Sequence, residues 1–248
     1  MLNSLLKLFV SQFSVYEETL QWLKKNSLPH YAEEEAPSTN DKAKSEAFSL
    51  SDPVKNYLVD QQTSGRGRGS NTWDNPKPGH SMMMSFSFAI KGTPQPISTP
   101  LAGLALAKTL ENVFSVQNIS LKAPNDILLN GKKMAGILVE VVQMGNEFRL
   151  IIGIGLNVYS APKSQTDANF LDASALITKS KWQNFLSQLQ TELKLVSQEA
   201  LGTHLSEKQR QDILNYLNKN PNISDQYESL SPFGDLSQAG KVISWREL

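Results

Sequence analysis

The chain has 248 residues, of which 40% are apolar and 19% charged, so it can bury a full hydrophobic core and does not have the composition of a disordered protein. Its 24 basic residues balance its 24 acidic ones, which argues against a general affinity for nucleic acid or acidic membranes. The absence of cysteine excludes disulfides, thiol catalysis and cysteine-ligated metals, and three scattered histidines disfavour a histidine metal centre. Residues 61–150 are nevertheless basic, with nine basic and five acidic side chains, and an anionic ligand is expected there first.

The amino-terminal part of the chain predicts helices. Apolar residues from Leu2 to Phe13 follow helical spacing, which favours a helix packed on the domain over one lying on a membrane, because its polar face lacks a basic cluster. No stretch resembles a signal peptide or a membrane span, so the cytoplasm is the expected compartment. Ser14 and Glu17 form a capping-box pattern before a short helix that should end near Lys25.

The middle of the chain predicts strands joined by tight turns. After a polar stretch at residues 26–52, a short strand is expected at Asn56–Asp60. A longer one is expected at Met83–Ile90, where Met84, Phe86, Phe88 and Ile90 share one face. Asn130-Gly131 is typical of a two-residue hairpin turn, and Gly145-Asn146 predicts a second turn, so three strands should follow one another.

Helices are expected around these strands. Ser98 and Pro100 should open the first, as a capping residue and a first-turn proline. Another helix should begin at Ser206 and stop before Pro221. Successive hairpins with helices set apart predict an α+β fold, with a mainly antiparallel or mixed sheet flanked by helices. Core-facing residues are expected in the first helix (Leu101, Leu104, Ala105, Ala107 and Leu110) and in a long amphipathic one (Trp182, Phe185, Leu186, Leu189, Leu193 and Val196).

A short glycine–arginine segment, Gly65–Gly69, directly follows a predicted strand. Its glycines leave backbone N–H groups accessible, and the guanidinium groups of Arg66 and Arg68 match phosphate or carboxylate oxygens. The segment has neither the Walker A nor the dinucleotide-binding pattern. An RNA-binding tract is the less favoured alternative, because such tracts are long and repetitive and this segment occurs once.

Other polar residues lie beside strands that contain glycine. Asn125 and Asp126 form either a simple turn or a site for ribose hydroxyls or Mg²⁺. Lys133 follows a hairpin turn, where a lysine is usually solvated. The glycines at 136, 153 and 155 interrupt buried strands, which is favourable where something approaches the backbone closely. Together these features predict a flat ligand lying against the strands, with cations at one end.

Five motifs occur in the order found in biotin protein ligases, and the chain resembles that family over roughly residues 28–217. The resemblance implies a class II synthetase-like biotin/lipoate ligase catalytic domain. It also implies a two-step reaction: biotin and ATP form biotinyl-5′-adenylate, and biotin then passes to one lysine of a biotin carboxyl carrier domain, as in biotin–[acetyl-CoA-carboxylase] ligases. The motifs are STN at Ser38–Asn40, QTSGRGRG…W at Gln62–Trp73, PND at Pro124–Asp126, KMAGILVE at Lys133–Glu140 and GIGLNV at Gly153–Val158.

The resemblance assigns roles by position. Lys133, Arg66 and Arg68 would be catalytic, since cations must offset the repulsion between a carboxylate and a polyanion. The glycine–arginine segment would close over biotin and the adenylate. The biotin side would comprise Ser38, Thr39, Asn40, Gln62, Gly65, Arg66, Gly67, Arg68, Lys133, Gly136, Leu138, Gly153 and Gly155. The ATP side would comprise Arg68, Trp73, Asn125, Asp126, Lys133 and Asn157.

The resemblance also implies cofactors, partners and a division of the chain. ATP and Mg²⁺ would be the cofactors, without a dedicated set of protein metal ligands, and biotin the substrate. The protein partner would be the carrier protein of a carboxylase; no nucleic-acid or membrane partner is expected, and a homodimer is compatible with the resemblance. Residues 1–27 would form a helical extension, residues 28–220 the catalytic domain and residues 221–248 a short tail.

The chain departs from the family pattern in several places. Ala123 stands where tryptophan is common, which changes the packing beside the nucleotide site, and Ser70 replaces a frequent glycine. No DNA-binding helix-turn-helix precedes the motifs, which indicates the monofunctional type. The tail has room for a strand or two in place of the family's small β-barrel. Its Val242 and Trp245 should lie on opposite faces, one of them packed on the catalytic domain, with a frayed terminus as the alternative.

Three other functions stay open on the sequence. A lipoate ligase shares the fold and would be separated by comparing turnover of lipoate and biotin. A nucleic-acid-binding module would bind through the glycine–arginine segment with a steep salt dependence. A catalytically impaired relative would bind only biotin or the carrier protein.

Overall fold

The computed structural model describes residues 12–49 and 52–245, and all but the last two residues of the predicted helix at Leu2–Phe13 lie outside them. Within these residues the chain forms five helices, one short 3₁₀ helix and ten strands. The helices are α1 (Val15–Lys25), α2 (Thr39–Ser45), α3 (Ser98–Phe114), α4 (Lys179–Glu199) and α5 (Glu207–Asn218), and the 3₁₀ helix is Leu171–Ala173. The strands are β1 (His30–Ala36), β2 (Val54–Gln62), β3 (Ser81–Ile90), β4 (Ile119–Lys122), β5 (Asp126–Leu129), β6 (Lys132–Met144), β7 (Glu147–Asn157), β8 (Tyr227–Leu230), β9 (Asp235–Gln238) and β10 (Lys241–Ser244).

Seven strands form one mixed sheet in the order β1-β2-β3-β7-β6-β5-β4. β1 runs parallel to β2, and every other neighbouring pair is antiparallel. The two predicted turns are confirmed: Asn130 and Gly131 join β5 to β6 with positive φ angles of 52° and 75°, and Gly145 lies between β6 and β7. The predicted α+β fold with a mainly antiparallel, mixed sheet is therefore confirmed.

The two faces of this sheet are covered differently. Helices α1, α3 and α4 pack on one face, and the core-facing residues predicted for α3 and α4 are all buried there. Met84, Phe86 and Phe88 of β3 point into this same core, as their alternation predicts. Among the described helices, only the short α2 lies on the other face, where it packs on β2, β3, β6 and β7 and Ala43 joins a small buried cluster. This second face is named the α2 face, and it leaves room for a cavity.

Two elements in the polar stretch at residues 26–52 were not predicted. β1 contains Glu33–Glu35, three consecutive charged residues without apolar alternation, which an edge strand tolerates because one of its sides faces water. α2 has only seven residues, and its Ser38 cap accepts a hydrogen bond from Asp41 N at 3.4 Å. Both elements are held by tertiary contacts and have no strong local pattern.

Element ends differ slightly from the prediction. The first predicted strand is longer, covering Val54–Gln62, and α3 begins after Ile97, so Ser98 is its first residue and not its cap. The predicted capping boundaries of α1 at Ser14 and of α5 at Ser206 are confirmed. No helix in the described part of the chain combines the length and apolar composition of a membrane span.

The carboxy-terminal segment forms a small sheet of three strands in the order β10-β9-β8, so the expectation of a strand or two was too low. Leu230, Leu236 and Trp245 join the main core, whereas the side chain of Val242 is 75% exposed. The predicted packing of the tail on the rest of the protein, with Val242 and Trp245 on opposite sides, is confirmed. A frayed terminus is wrong for residues 227–245.

Candidate active site

A cavity of about 380 Å³ lies on the α2 face, and the structure brings nearly all of the predicted site residues together around it. Of the predicted set, only Gly65 and Asn157 do not line it: Gly65 O accepts a bond from Trp73 N behind the cavity wall, and Asn157 is buried at the end of β7. The predicted residues that line it are Ser38, Thr39, Asn40, Gln62, Arg66, Gly67, Arg68, Trp73, Asn125, Asp126, Lys133, Gly136, Leu138, Gly153 and Gly155.

Three glycines on β6 and β7 form the cavity floor, where the absence of side chains lets other groups approach the backbone closely. Gly136 of β6 pairs directly with Gly155 of β7, and a Cβ atom on Gly155 would lie 2.5 Å from the Trp73 ring. A Cβ atom on Gly153 would lie 2.1 Å from Asn40 Oδ1. The close approach inferred from these glycines is therefore present. The sequence predicted a flat ligand against these glycines. In the structure, the side chains of Trp73 and Asn40 lie against them.

Lys133 reaches this face because β6 contains a bulge. Lys133 pairs with Leu128 and Ala135 with Ile127, so Met134 is an extra residue on β6. Met134 and Ala135 therefore both point into the helix-covered core, and Lys133 is returned to the cavity side. The backbone of Lys133 is fixed further by hydrogen bonds to residues 167 and 169, of 3.0 and 2.8 Å. Its ammonium group lies 2.7 Å from Asp126 and 5.5 Å from the centre of the Trp73 ring.

The glycine–arginine segment forms a small hairpin at the cavity. Arg66 pairs with Thr72, and Gly67 N donates to Asn71 O at 2.8 Å. The Arg66 guanidinium contacts both carboxylate oxygens of Glu140, at 2.6 and 2.7 Å, and its Nε lies 3.1 Å from Asp41. The tip of the segment brings Arg68 into the cavity lining.

A polar pocket forms where α2 meets β2 and β3. The backbone N–H of Thr39 donates to Gln62 Oε1 at 2.9 Å. The Ser85 hydroxyl lies 2.7 Å from Thr39 Oγ1 and 2.6 Å from Asn40 Oδ1. Asn40 in turn donates to Glu140 at 2.8 Å and to the Leu138 carbonyl at 3.2 Å. This end of the cavity therefore presents both donors and acceptors on side chains held in fixed orientations.

Glu140 links this pocket to the glycine–arginine segment. Burial alone would raise the pKa of Glu140, but hydrogen bonds from Asn40, Arg66 and Lys44 outweigh it and hold the pKa below its usual range. Glu140 is therefore an anion at neutral pH. Its negative charge would be lost only as the pH falls below about 4.5, the ordinary value for a glutamate.

The side of the cavity assigned to ATP contains buried polar atoms with unused hydrogen-bonding capacity. The Asn125 side-chain amide donates to the Ile137 carbonyl at 2.8 Å, and Ile137 N donates to the Asn125 backbone carbonyl at 2.9 Å. Among the described residues, however, Trp73 Nε1 and Asp126 Oδ1 are buried without a hydrogen-bond partner, and so is Oδ1 of Asn157, which does not line the cavity. Asp126 Oδ1 is within ion-pair distance of Lys133 but forms no well-directed hydrogen bond with it. Such atoms are costly to bury unless a ligand or water completes them.

A second cavity of about 230 Å³ adjoins the first and shares Arg68, Asn125, Ile137 and Leu138 with it. Its far wall is Trp245, whose indole N–H donates to the Pro124 carbonyl at 2.9 Å. The carboxy-terminal sheet therefore supports the turn that carries Asn125 and Asp126. Sequence reasoning expected the tail to pack but did not identify this contact.

Several residues of the site were not predicted. Glu140 ends the KMAGILVE motif. Residues two apart on a strand point to the same face, so Glu140 could have been placed on the same face as Gly136 and Leu138. Five further residues line the cavity and were not singled out from the sequence. These are Asn71, Thr72, Ile137, Ile154 and Gln165.

Known proteins resemble this chain in sequence. The model of the biotin/lipoate A/B protein ligase family matches residues 34–157, which are 124 of the 248 residues. The chain is 39% identical over 115 residues to the bifunctional ligase/repressor BirA of Bacillus subtilis, covering 44% of this chain and 34% of that one. It is 32% identical over 113 residues to the biotin–[acetyl-CoA-carboxylase] ligase of Mycobacterium tuberculosis, covering 43% and 40%.

The fold has close solved counterparts. The biotin protein ligase of Aquifex aeolicus in complex with biotin and ATP superposes with a TM-score of 0.63 at 23% identity, covering 87% of this chain and 95% of that one. The matched segments of the two curated relatives span 34% and 40% of their lengths. The family match covers half of this chain and includes most of the cavity-lining residues. The chain therefore belongs to the biotin/lipoate A/B protein ligase family.

Proposed function

We propose that this chain is an ATP-dependent biotin protein ligase, which forms biotinyl-5′-adenylate and transfers biotin to a lysine of a biotin carboxyl carrier domain. The observation that carries the proposal is the cavity itself. It is lined by the polar pocket, by the cations of Arg68 and Lys133, and by Trp73 and Asp126, which each have a buried polar atom without a hydrogen-bond partner among the described residues. A carboxylic acid and a nucleotide can meet there with their reacting groups beside the cations.

The polar pocket favours biotin over lipoate. The ureido ring of biotin carries two N–H donors and a carbonyl acceptor, whereas the dithiolane ring of lipoate carries neither. Ser38, Thr39, Asn40 and Gln62 line the pocket with polar groups, and an apolar ring would leave some of them unpaired. This contrast supports biotin as the substrate.

In the first step, a biotin carboxylate oxygen would attack the α-phosphorus of ATP, and the bond from that phosphorus to the bridging oxygen of pyrophosphate would break. Lys133 and Arg68 would offset the repulsion between two anions and stabilise the charge that develops on the phosphoryl oxygens. The buried Trp73 Nε1 and Asp126 Oδ1 would find their missing hydrogen-bond partners on the bound nucleotide. No covalent intermediate with the enzyme is needed.

Mg²⁺ fits this site as an ion carried by the triphosphate. The described residues contain no cluster of three or more potential metal-ligating His, Cys, Asp or Glu side chains, and Asp126 is the carboxylate among the cavity-lining residues. Mg²⁺ is commonly held by one or two carboxylates together with substrate phosphates. When bound, it would neutralise phosphate charge, with Asp126 as its candidate protein ligand.

In the second step, the amine of the acceptor lysine would attack the carbonyl carbon of the adenylate. An amide bond would form and the amine would lose a proton. The bond between the carbonyl carbon and the phosphate oxygen would break, which releases AMP. We place this reaction in the cytoplasm without a nucleic-acid partner, consistent with a chain that has no cysteine and balanced charge. The carrier protein of a carboxylase is the proposed acceptor.

Biotin-dependent exchange of labelled pyrophosphate into ATP tests the first step directly. We expect exchange with biotin and none with lipoate. Exchange that depends on lipoate would contradict the substrate assignment. Biotin binding without exchange would indicate a catalytically impaired relative.

Arg66→Ala and Arg68→Ala are expected to weaken retention of the adenylate, because each guanidinium contributes about 1.5–3 kcal/mol when it forms a charge-assisted hydrogen bond. The released adenylate should then label lysines of a bystander protein such as serum albumin. The measurement is bystander biotinylation relative to adenylate produced. Labelling at the wild-type level with normal adenylate synthesis would show that these arginines do not retain the intermediate.

Trp245→Phe should raise the KM for ATP more than the KM for biotin, because it removes the donor to Pro124 beside Asn125 and Asp126. The loss of one hydrogen bond predicts a change of roughly fivefold to tenfold. Val242→Ala is the matched control, since its side chain is 75% exposed on the same segment. Deletion of residues 221–248 should also raise the KM for ATP more than the KM for biotin, and by a larger factor. If both KM values are unchanged in Trp245→Phe and in the deletion, the tail has no role in ATP use.

A further inference from the structure

Glu140 is the point at which the hairpin of the glycine–arginine segment is tied to the rest of the site. Four nitrogen–oxygen contacts converge on its carboxylate: two from Arg66 Nη2 at 2.6 and 2.7 Å, one from Asn40 at 2.8 Å and one from Lys44 at 3.1 Å. Its side chain is 22% exposed, so these contacts are partly shielded from water. Asp41 adds a weaker contact to Arg66 at 3.1 Å.

The position of Arg66 on the hairpin explains why this contact matters. Arg66 pairs with Thr72 at the base of the hairpin, and residues 67–71 form its tip. Fixing the Arg66 side chain to β6 therefore fixes the hairpin over the floor strands. Asn40, held by the same carboxylate, lies on Gly153 at the floor.

We propose that Glu140 is a positioning residue that anchors the glycine–arginine hairpin closed over the cavity through Arg66, while it fixes the Asn40 amide on the floor. Arg66 then helps to retain the adenylate by holding the hairpin in place, through Nη2 on Glu140 and the ion pair with Asp41. Opening of the hairpin requires the contact between Arg66 and Glu140 to break.

Limited trypsin digestion tests the anchor without substrate, since cleavage after Arg68 requires the hairpin to open. Mass spectrometry would follow the bond between Arg68 and Gly69. Glu140→Gln preserves the shape of the side chain and removes its charge. We expect it to speed this cleavage by at least about fivefold, the low end for a charge-assisted contact that is partly exposed.

Two controls separate the anchor from a general loss of charge. Glu147→Gln makes the same substitution at an exposed position on the neighbouring strand, and Lys44→Met removes another partner of Glu140 that does not lie on the hairpin. Both should leave the cleavage rate within about twofold of wild type, because neither removes the contact between Arg66 and Glu140. If Lys44→Met accelerates cleavage as much as Glu140→Gln, the proposal is overturned.

A double-mutant cycle gives the decisive result. Arg66→Met alone should speed cleavage at least as much as Glu140→Gln, because it also removes the ion pair with Asp41, and the double variant should be no faster than Arg66→Met. The proposal is overturned if the two substitutions multiply their effects on the cleavage rate in the double variant, or if Glu140→Gln leaves the rate unchanged.

The functional consequence rests on the proposed ligase activity: Glu140→Gln should increase bystander biotinylation as Arg66→Ala does. If the proteolysis results hold while no variant, nor the wild type, transfers biotin, the anchor stands and the ligase assignment fails.

Discussion

Lys133→Ala should reduce adenylate synthesis by a factor on the order of 10² to 10³, the effect of removing one preorganised group that stabilises transition-state charge. The bulge at Met134 directs the Lys133 ammonium into the cavity. The fold should survive, because the Lys133 backbone bonds to residues 167 and 169 do not involve the side chain. The measurement is the rate of biotin-dependent pyrophosphate exchange, with the thermal unfolding curve as a check of folding.

Lys132→Ala is the matched control for this result. Lys132 is the preceding residue on β6, is exposed and does not line the cavity. Its substitution should leave exchange nearly unchanged. Equal losses in the two variants would refute the assignment of Lys133, since a general effect of positive charge would then explain both.

Gly153→Ala should damage both stability and biotin binding. The new Cβ atom would lie 2.1 Å from Asn40 Oδ1, and Asn40 cannot easily retreat because it is held by Glu140, the Leu138 carbonyl and Ser85. Inserting a methyl group into such a site typically costs about 1–3 kcal/mol. We therefore expect a lower unfolding free energy. Because the clash also displaces Asn40 from the polar pocket, the KM for biotin should rise at least about fivefold, as for the loss of one hydrogen bond.

Gly103→Ala provides the contrasting substitution. Gly103 lies inside α3, and its added Cβ would meet Leu121 at 3.5 Å, an ordinary van der Waals contact. Alanine in a helix interior is more stable than glycine by about 0.5–1 kcal/mol. Chemical denaturation should thus show a stabilised protein with normal biotin binding. If both variants are destabilised to a similar degree, the close contact between residue 153 and Asn40 does not explain the effect of Gly153→Ala.

Local sequence patterns were sufficient for most of the fold. Helix α4 shows clear helical periodicity, and the turn at Asn130-Gly131 has a residue pair suited to positive φ angles. β1 was missed because Glu33–Glu35 have no alternation, and its position is determined by pairing with β2. Elements with weak local signals are specified by their tertiary neighbours, which a single sequence does not display.

The lining of the cavity was predicted where motifs are contiguous and was missed where the geometry is non-local. The motifs identified most lining residues, including the glycines of the floor. They did not reveal the bulge at Met134, which depends on how the short β5 pairs with β6, nor the contact between Trp245 and Pro124 across the fold. The dual contact of Glu140 with Arg66 and Asn40 likewise joins three separate segments.

The most direct test of the proposed function combines the purified chain with ATP, Mg²⁺, labelled biotin and a biotin carboxyl carrier domain. We predict that a single lysine of the carrier gains one biotin, with one AMP and one pyrophosphate released for each transfer, and that lipoate does not replace biotin. Absence of carrier labelling, or equal labelling with lipoate, would contradict the account.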